Sequence, residues 1–252
     1  MTFMPMTNVG ILHVHSNLSY DGQNTLAEIA FFAKSRGYQF VAMSEHSDTF
    51  DPQKMAYLVD QCGRLSDASF LMIPGLEFTC DNRLHLLALG IERYINTTNP
   101  ILVARFAREQ GGLAILSHPS RYAYQIPSGL ETYLDGIEVW NAGYDGRFIP
   151  NDRSIRLWKS LRTCNNSLRA FGSQDLHAIE DHRHVRVGVR CEQLTRHAIL
   201  KGLRAGKFVI SNSFLRLQSD SSPCWMKLSA IGAGRRAYLV AKALRDRLAR
   251  TR

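Results

Sequence analysis

The sequence predicts an α/β fold in which parallel strands alternate with helices and close into a barrel. Short apolar runs, typical of buried strands, alternate with longer segments whose apolar residues recur at helical spacing. This order indicates βα units. A chain of 252 residues, 45% of them hydrophobic, is long enough to form one such barrel.

The first strand is predicted in VGILHV and the first helix in TLAEIAFFAKSRG, where Gly37 is placed as a helix stop. A strand in FVAMS precedes a helix in DPQKMAYLVDQCGRL, whose Pro52 suits a helix start. The later elements are predicted in this order: strands in FLMIPGLEF and LHLLALG, a helix in PILVARFAREQGG, strands in LAILSH and GIEVWN, a helix in RSIRLWKSLRTC, strands in LRAFGS and VRVGV, and a helix in TRHAILKGLRAG.

The net charge of +9 is concentrated towards the C-terminal end. Residues 1–215 carry 22 Lys and Arg against 20 Asp and Glu, whereas residues 216–252 carry 9 against 2. We therefore expect a barrel domain over 1–215 and a basic, helical extension over 216–252. Val240, Leu244 and Leu248 form one apolar stripe of that helix. Two alternatives stay open: a helix docked on the barrel, or a peripheral contact with a membrane surface or nucleic acid.

Other sequence signals exclude several classes of protein. Neither a secretory signal nor an apolar run of roughly 18 residues is present, so we expect a cytoplasmic protein. The cysteines are scattered without a C-x-x-C pair, which predicts neither a disulfide framework nor a thiolate zinc site. The segment GAGRRA, residues 232–237, fits a dinucleotide fingerprint in letters but is followed by too little chain for a βαβ unit.

Histidines and carboxylates follow the trailing ends of the predicted strands. His13 and His15 are two positions apart, so they project to the same side of a strand, and Asp175 and His177 repeat this spacing. His46, Glu77 and His118 also follow apolar runs. Such strand ends meet at one face of a βα barrel. Because imidazole and carboxylate groups bind zinc, manganese and iron, we expect a metal site at this face.

These motifs resemble the PHP (polymerase and histidinol phosphatase) family of metal-dependent phosphoesterases. The resemblance runs through HVHSNLSYDG, SEHSD, PGLEFTCDNRLHLLALG, SHPSR, GIEVWN and GSQDLH, in the family's order, over residues 10 to about 190. It implies a distorted (β/α)7 TIM-like barrel that holds two or three divalent ions of manganese, zinc or iron at its C-terminal strand ends. The ligands that it implies are His13, His15, Asp21, His46, Glu77, His85, His118, Asp175 and His177.

Several positions depart from the family's pattern or keep a second interpretation. Asp21 stands where other members carry histidine, Glu45 replaces the aspartate before His46, and Gly172 lies one residue further from the Asp-x-His pair. Glu45 either orients a ligand histidine or its water, or ligates directly. The alternative for His85 is a buried strand histidine bonded to the backbone.

Divalent ions in such a site lower the pKa of a shared water and absorb charge on phosphate oxygens. We therefore expect phosphoester hydrolysis by a metal-activated hydroxide, without a covalent protein nucleophile. A planar guanidinium should clamp the phosphate, and the candidates are Arg121, then Arg147 and Arg183. For each arginine the alternative is a solvated surface charge.

Three function classes follow. The favoured one is a phosphatase or phosphoesterase acting on a small phosphorylated metabolite or nucleotide, because residues 1–215 lack the excess of Lys and Arg that grips many backbone phosphates. The alternative is a 5′-to-3′ exonuclease on DNA or RNA, an activity of some PHP relatives, which the basic tail favours. A non-catalytic structural or regulatory PHP module is the third, and the intact ligand set argues against it.

Overall fold

The computed structural model describes residues 6–221 and 225–250 and shows a mixed α/β fold. The strands are β1 Met6–Val14, β2 Phe40–Met43, β3 Glu45–His46, β4 Leu71–Ile73, β5 Gly75–Thr79, β6 His85–Leu89, β7 Leu113–Leu116, β8 Gly136–Asn141, β9 Arg169–Ser173, β10 Arg186–Cys191, β11 Phe208–Ser211 and β12 Arg216–Gln218. The α-helices are α1 Leu26–Ser35, α2 Pro52–Leu65, α3 Pro100–Glu109, α4 Ala142–Asp145, α5 Asp152–Leu161, α6 Arg196–Arg204 and α7 Trp225–Arg250. Every helix in these ranges is too short or too polar to cross a bilayer.

The strands form two six-stranded sheets. The first has the order β12-β11-β10-β1-β2-β4 and the second the order β3-β5-β6-β7-β8-β9. Pairing is parallel for β1 with β2, β2 with β4, β3 with β5, β7 with β8 and β8 with β9. It is antiparallel from β1 through β10 and β11 to β12, and from β5 through β6 to β7.

The antiparallel pairs correct the expectation of an all-parallel arrangement. The segment between β5 and β6, residues 80–84, is too short for a crossover helix, so β6 must turn back along β5. FLMIPGLEF also forms two strands rather than one. Its halves β4 and β5 lie on either side of Pro74 and belong to different sheets, because proline cannot donate to a sheet ladder.

Each predicted helix is present, and local sequence signals mark the first turns of α1, α2 and α3. Thr25 and Glu28 form a reciprocal capping box at the start of α1, and Gly37 follows its end with φ of 75°. Asp51 caps α2 and Pro52 occupies its first turn, as the sequence indicates. Asn99 and Pro100 give α3 the same kind of start. The start of each of these helices is therefore set by neighbouring residues in the sequence and not by the sheet on which the helix packs.

The two sheets meet where β1 ends. The backbone N–H of His15 donates to Leu176 O at 2.9 Å, and Leu176 N–H donates to His13 O at 3.1 Å, so the end of β1 pairs with the segment that follows β9. Strands such as β2, β7 and β8 are buried along their whole length, as expected for strands covered on both faces. This junction brings the trailing ends of β1, β3, β5, β7 and β9 together.

The C-terminal segment is helical, as the sequence predicts, and the part with described side chains packs on the rest of the fold. Leu228 is buried, Ile231 packs against the core, and the Tyr238 ring lies 6.1 Å from that of Phe148. Val240 is 60% exposed, and the side chains of Leu244 and Leu248 lie outside the described residues. Sheet pairing continues past residue 215 into β12, and the division into two domains stays a prediction.

Candidate metal centre

All nine predicted ligands lie in one cluster. His13 and His15 come from the end of β1 and Asp21 from the loop after it, His46 and Glu77 from β3 and β5, His85 from β6, His118 from the residues after β7, and Asp175 and His177 from those after β9. Their donor atoms form four overlapping groups within 4.8 Å: His15, Asp21, His46 and His177; His13, His118 and Asp175; His13, His15 and Glu77; and Glu77, His85 and His118.

Glu77 occupies the centre of the cluster and is 1% exposed. Its Oε1 lies 2.9 Å from both His85 Nδ1 and His118 Nε2. Its Oε2 faces the other side of the cluster, 3.3 Å from His13 Nε2, 3.6 Å from His15 Nε2 and 3.4 Å from His46 Nδ1. One carboxylate therefore faces imidazoles from five histidines.

Several imidazole nitrogens in the cluster have no hydrogen-bond partner although they are buried: His13 Nε2, His15 Nε2, His46 Nδ1 and His118 Nδ1. A buried polar atom without a partner is costly, so its environment should contain another kind of partner. Donor atoms that share one ion at about 2.1 Å lie about 3.0–3.4 Å apart. The three separations from Oε2 of Glu77, 3.3–3.6 Å, are close to this spacing, so the donor set fits divalent cations.

The second part of the cluster opens to solvent. Asp21 Oδ2 lies 3.2 Å from both His46 Nε2 and His177 Nε2. The side chain of Asp21 is 36% exposed and that of His177 is 30% exposed. Asp21 stands where other members carry histidine. It is therefore also a metal-type side chain within the cluster. Because Glu77 is buried and Asp21 is not, the cluster is open to solvent on the Asp21 side.

The backbone is strained at three of these residues. His13, His118 and Asp175 have φ of 64°, 23° and 54°, a region that non-glycine residues enter at a cost of about 1–3 kcal/mol each. The register between β1 and β2 shifts at His13, so a bulge, and not plain alternation, turns His13 and His15 towards Glu77. Strain of this kind is concentrated at functional sites, where the surrounding contacts maintain it.

Burial and charge give the cluster an affinity for cations. Burial lowers the pKa of His15 to about 4, although the nearby carboxylate of Asp175 opposes this effect, so the ring is neutral near pH 7. Burial acts to raise the pKa of Glu77, but the charge of His13 and hydrogen bonds from the histidines hold it well below its usual range. For His13, the carboxylates of Asp175, Glu77 and Glu138 outweigh burial and raise the pKa. Ionised carboxylates and neutral imidazoles are the forms that bind metals, so an ion at His13 would replace the proton that these carboxylates stabilise.

Glu138 completes the cluster from β8 and was missed by the sequence analysis. Its Oε1 accepts from His13 Nδ1 at 2.8 Å, and its Oε2 accepts from Asn141 Nδ2 and from the backbone N–H of His118, both at 2.8 Å. A carboxylate that holds the far nitrogen of a ligand histidine fixes the tautomer with the near nitrogen free for metal. The signal in the sequence is a glutamate inside the otherwise uncharged strand GIEVWN.

Glu45 is completely buried and lies one contact away from the cluster. Its carboxylate accepts hydrogen bonds from the hydroxyl of Ser16 at 2.6 Å and from that of Ser19 at 2.5 Å. Ser19 Oγ in turn accepts from the backbone N–H of His46 and lies 3.5 Å from His15 Nδ1. Of the two interpretations of Glu45, this geometry favours the support of ligand histidines over direct ligation.

The three candidate arginines have different surroundings. Arg121 donates to the hydroxyl of Tyr144 at 3.1 Å, and the Tyr144 ring lies 4.5 Å from that of His118, so Arg121 is at the rim of the cluster. Arg183 donates to the backbone oxygens of residues 142 and 143. The guanidinium of Arg147 lies 4.8 Å from the Phe148 ring. Arg121 therefore contacts a side chain that adjoins the exposed edge of the cluster.

Two exposed tyrosines flank the histidines and were also missed. The ring of Tyr20 stacks on His46 at 4.7 Å and is 68% exposed, and Tyr144 is 46% exposed beside His118. In the sequence neither differs from an ordinary surface tyrosine. Their outer faces are open to an incoming group.

Several solved structures of other proteins share the fold of this chain. No family profile and no curated protein sequence matches the chain. Among solved structures, a two-domain protein from Bacteroides vulgatus with a predicted PHP-like metal-dependent phosphoesterase is similar, with a TM-score of 0.63, 18% identity and coverage of 84% of this chain and 66% of that one. PsfC from Pseudomonas syringae PB-5123 is similar with a TM-score of 0.58 and 17% identity over 92% of this chain and 99% of its own.

The lesion-specific endonuclease EndoQ from Pyrococcus furiosus is similar with a TM-score of 0.59 and 18% identity over 84% of this chain and 58% of its own. The chain thus spans about two thirds of the Bacteroides protein and just over half of the endonuclease. At these identities the likeness concerns the fold. The chain has the α/β fold of the PHP-like metal-dependent phosphoesterases, as its sequence motifs predict.

Proposed function

We propose that the chain is a PHP-family, metal-dependent phosphoesterase that hydrolyses a phosphoester bond. The observation that carries this proposal is Glu77, a buried carboxylate that faces five histidines, three of which, His13, His15 and His46, point a buried nitrogen without a hydrogen-bond partner towards it. A purely structural buried network would be expected to satisfy these nitrogens with hydrogen bonds. The solved structures that share the fold, described as a phosphoesterase and an endonuclease, support the same chemistry.

Two or three divalent ions of manganese, zinc or iron would be held by the nine clustered side chains. Glu77, His13 and Asp175 would hold the buried part, and Asp21 and His177 the part that opens to solvent. When bound, such ions supply Lewis-acid activation of water and neutralise charge on phosphate oxygens. Ser19 lies beside His15, but its hydroxyl is buried and donates to Glu45, so it is not placed as a covalent nucleophile.

The residues of the chain itself would bind and orient the substrate. Arg121, beside the Tyr144 hydroxyl, would donate its planar N–H groups to phosphate oxygens as the ester enters from the exposed Asp21 side. Glu138 would hold the proton on His13 Nδ1, and Ser19 and Glu45 would keep the loop of His46 in place. Arg183 and Arg147, which contact backbone oxygens and a Phe ring, would have supporting roles.

The substrate class that we favour is a small phosphorylated metabolite or nucleotide. Residues 1–215 are nearly neutral in net charge, whereas binding a long phosphate backbone normally requires a stripe of Lys and Arg. The alternative is a nuclease on DNA or RNA, including the predicted 5′-to-3′ exonuclease, and the likeness to a lesion-specific endonuclease favours it. The non-catalytic module is the weakest of the three because the ligand set is complete.

Closure of the fold into a seven-stranded barrel belongs to the same proposal. It is supported by the hydrogen bonds between the end of β1 and the segment after β9, which join the two sheets at one side. A barrel domain over 1–215 followed by a basic extension, contact of that extension with a membrane surface, and a cytoplasmic location stay predictions.

Metal analysis of the purified chain, combined with hydrolysis assays, tests the proposal. p-Nitrophenyl phosphate and its bis ester would be assayed with manganese, zinc or iron in the wild type, His13→Ala and Asp175→Ala, with the exposed His197→Ala as a matched control. We expect metal-dependent hydrolysis in the wild type and His197→Ala and a loss of at least about 100-fold in the two site variants. No hydrolysis by the wild type with any of these metals, or undiminished activity in both site variants, would overturn the enzyme assignment.

A further inference from the structure

One arginine of the C-terminal helix α7 contacts the residues that surround the candidate metal centre. The side chain of Arg235 is 13% exposed, and its Nη2 lies 3.0 Å from Oδ1 of Asp145. Its Nη1 also donates to the backbone oxygen of Asp145 at 3.2 Å. The guanidinium therefore holds Asp145 through both its side chain and its backbone, at the end of the short helix α4.

Asp145 also accepts a hydrogen bond from Asn141. The side chain of Asp145 is 3% exposed, its Oδ1 also accepts from Asn151 Nδ2 at 2.8 Å, and its Oδ2 accepts from the backbone N–H of Asn141 at 2.9 Å. Burial raises the pKa of this carboxyl, while the charge of Arg235 opposes that effect. Because an unpaired buried charge is unfavourable, the ionised and fully bonded state of Asp145 depends on Arg235.

Asn141 in turn holds two carboxylates of the cluster. Its Oδ1 accepts from the backbone N–H of Tyr144 at 3.0 Å, which fixes the orientation of the amide. The NH₂ group must then face inwards, where it donates to Glu138 Oε2 at 2.8 Å and to Asp175 Oδ2 at 3.2 Å. Both carboxylates act on His13, through its Nδ1 and its Nε2 respectively.

We propose that Arg235 is a positioning residue for the metal centre: through Asp145 and Asn141 it sets the orientation of Glu138 and Asp175 and thereby the affinity of the site for divalent ions. The inference rests on the proposed metal-dependent function. Arg235, a residue of the basic C-terminal segment, would thus have a role that does not depend on contact with a membrane or nucleic acid. A continuous series of hydrogen bonds carries it, and each bond involves a buried group.

Metal titration of Arg235→Gln tests the proposal, with Arg236→Gln as the matched control. Arg236 is the next residue of the same helix and is exposed, so both variants lose one positive charge but only one loses the contact with Asp145. The readouts are the Kd for Mn(II), the visible absorption spectrum of the Co(II)-loaded protein, and the Tm of the metal-free protein. The spectrum reports ligand geometry, which a general loss of stability would not change.

We expect Arg235→Gln to weaken Mn(II) binding by about 10-fold, the lower end of the effect of residues that orient ligands, and to alter the Co(II) spectrum. Arg236→Gln should bind Mn(II) within about twofold of the wild type. Equal Kd values and identical Co(II) spectra for the two variants would overturn the proposal, whatever the change in Tm.

If Arg235→Gln does not fold, Arg235→Lys decides the question. A lysine keeps the charge but lacks the forked guanidinium that reaches both Oδ1 and the backbone oxygen of Asp145. The Kd for Mn(II) should therefore rise by about threefold or more. A Kd for Arg235→Lys equal to that of Arg236→Gln would overturn the proposal. A wild-type chain that binds neither Mn(II) nor Co(II) would instead overturn the proposed function, and this inference with it.

Discussion

Glu138 accepts a hydrogen bond from Nδ1 of His13 at 2.8 Å, and neither side chain has any exposure to solvent. The hydrogen bond keeps one ring proton on Nδ1, so Nε2, which faces Glu77 and Asp175 at 3.3 Å, is the nitrogen that would bind a metal ion in place of a proton. A buried strand residue thus determines which nitrogen of His13 is available to a metal ion.

Glu138→Gln should reverse this tautomer. Because Asn141 Nδ2 and His118 N–H both donate to Oε2 of Glu138, the amide oxygen of the glutamine would take that position and its NH₂ would face His13. The ring proton would then move to the nitrogen that faces the cluster. We expect the Kd for Mn(II), measured by calorimetry, to rise by about 10- to 100-fold. The exposed Glu180→Gln serves as the control, and equal Kd values for the two variants would contradict this role.

Removal of metal should destabilise the wild type but not a variant without Glu77. A ligand that binds only the folded state at 100 times its Kd adds about 2.7 kcal/mol to the free energy of unfolding. We expect a chelator to lower the Tm of the wild type and of His197→Ala and to leave that of Glu77→Gln unchanged. Thermal unfolding with and without excess Mn(II) measures the difference. An equal metal-dependent gain in Glu77→Gln would show that the ions bind elsewhere.

Arg121→Ala should weaken substrate binding more than any change at Arg147. The Arg121 guanidinium lies beside Tyr144 at the rim, whereas that of Arg147 packs on Phe148. Loss of a bidentate contact to a phosphate should raise KM for a phosphate monoester by about 10-fold or more, with a smaller change in kcat. Steady-state kinetics of Arg121→Ala and Arg147→Ala provide the comparison. Identical KM values would remove Arg121 from the substrate site.

The stability of the fold should depend on pH through His182, which lies outside the metal cluster. The Nε2 of His182 lies 2.8 Å from the hydroxyl of Tyr38, and burial, with His184 and Arg36 nearby, lowers its pKa from 6.5 to about 4. A histidine with a lowered pKa in the folded state binds protons more readily when unfolded. Its contribution is therefore complete above pH 6.5 and is lost as the pH falls towards 4.

His182→Gln should flatten this part of the pH profile. Between pH 7.5 and pH 5 we expect the wild type to lose about 1 kcal/mol more than the variant, after allowance for solvent screening at a partly exposed ring. Urea unfolding of the wild type, His182→Gln and the exposed His197→Gln at both pH values measures the difference. Parallel profiles for the wild type and His182→Gln would contradict the assignment.

The sequence predicted the helices and the convergence of nine metal-type side chains because both depend on local patterns. The Thr25 cap of α1 and Pro52 in the first turn of α2 act within one turn of their helix. The cluster could be predicted because several of its residues, such as His15, His118 and Asp175, follow apolar runs, so their convergence required only that those strand ends lie at one face. Asp21 was the least secure of them, and it lies within 3.2 Å of two histidines.

Strand direction and the supporting residues could not be predicted in the same way. An apolar run has the same period whether its strand is parallel or antiparallel, so the turn from β5 into β6 was missed, as was the break at Pro74. Glu138 resembles any strand residue until His13 is placed beside it, and the two are 125 positions apart. The role of Arg235 depends on tertiary contacts that no local pattern records.

Anomalous scattering from crystals of the wild type grown with Mn(II) tests the central claim most directly, because it locates the ions relative to Glu77. We expect at least two peaks, one of them within about 2.3 Å of an oxygen of Glu77 and each bounded by histidine nitrogens of the cluster. An absence of peaks around Glu77 at saturating Mn(II), with the histidines in the arrangement described above, would contradict it.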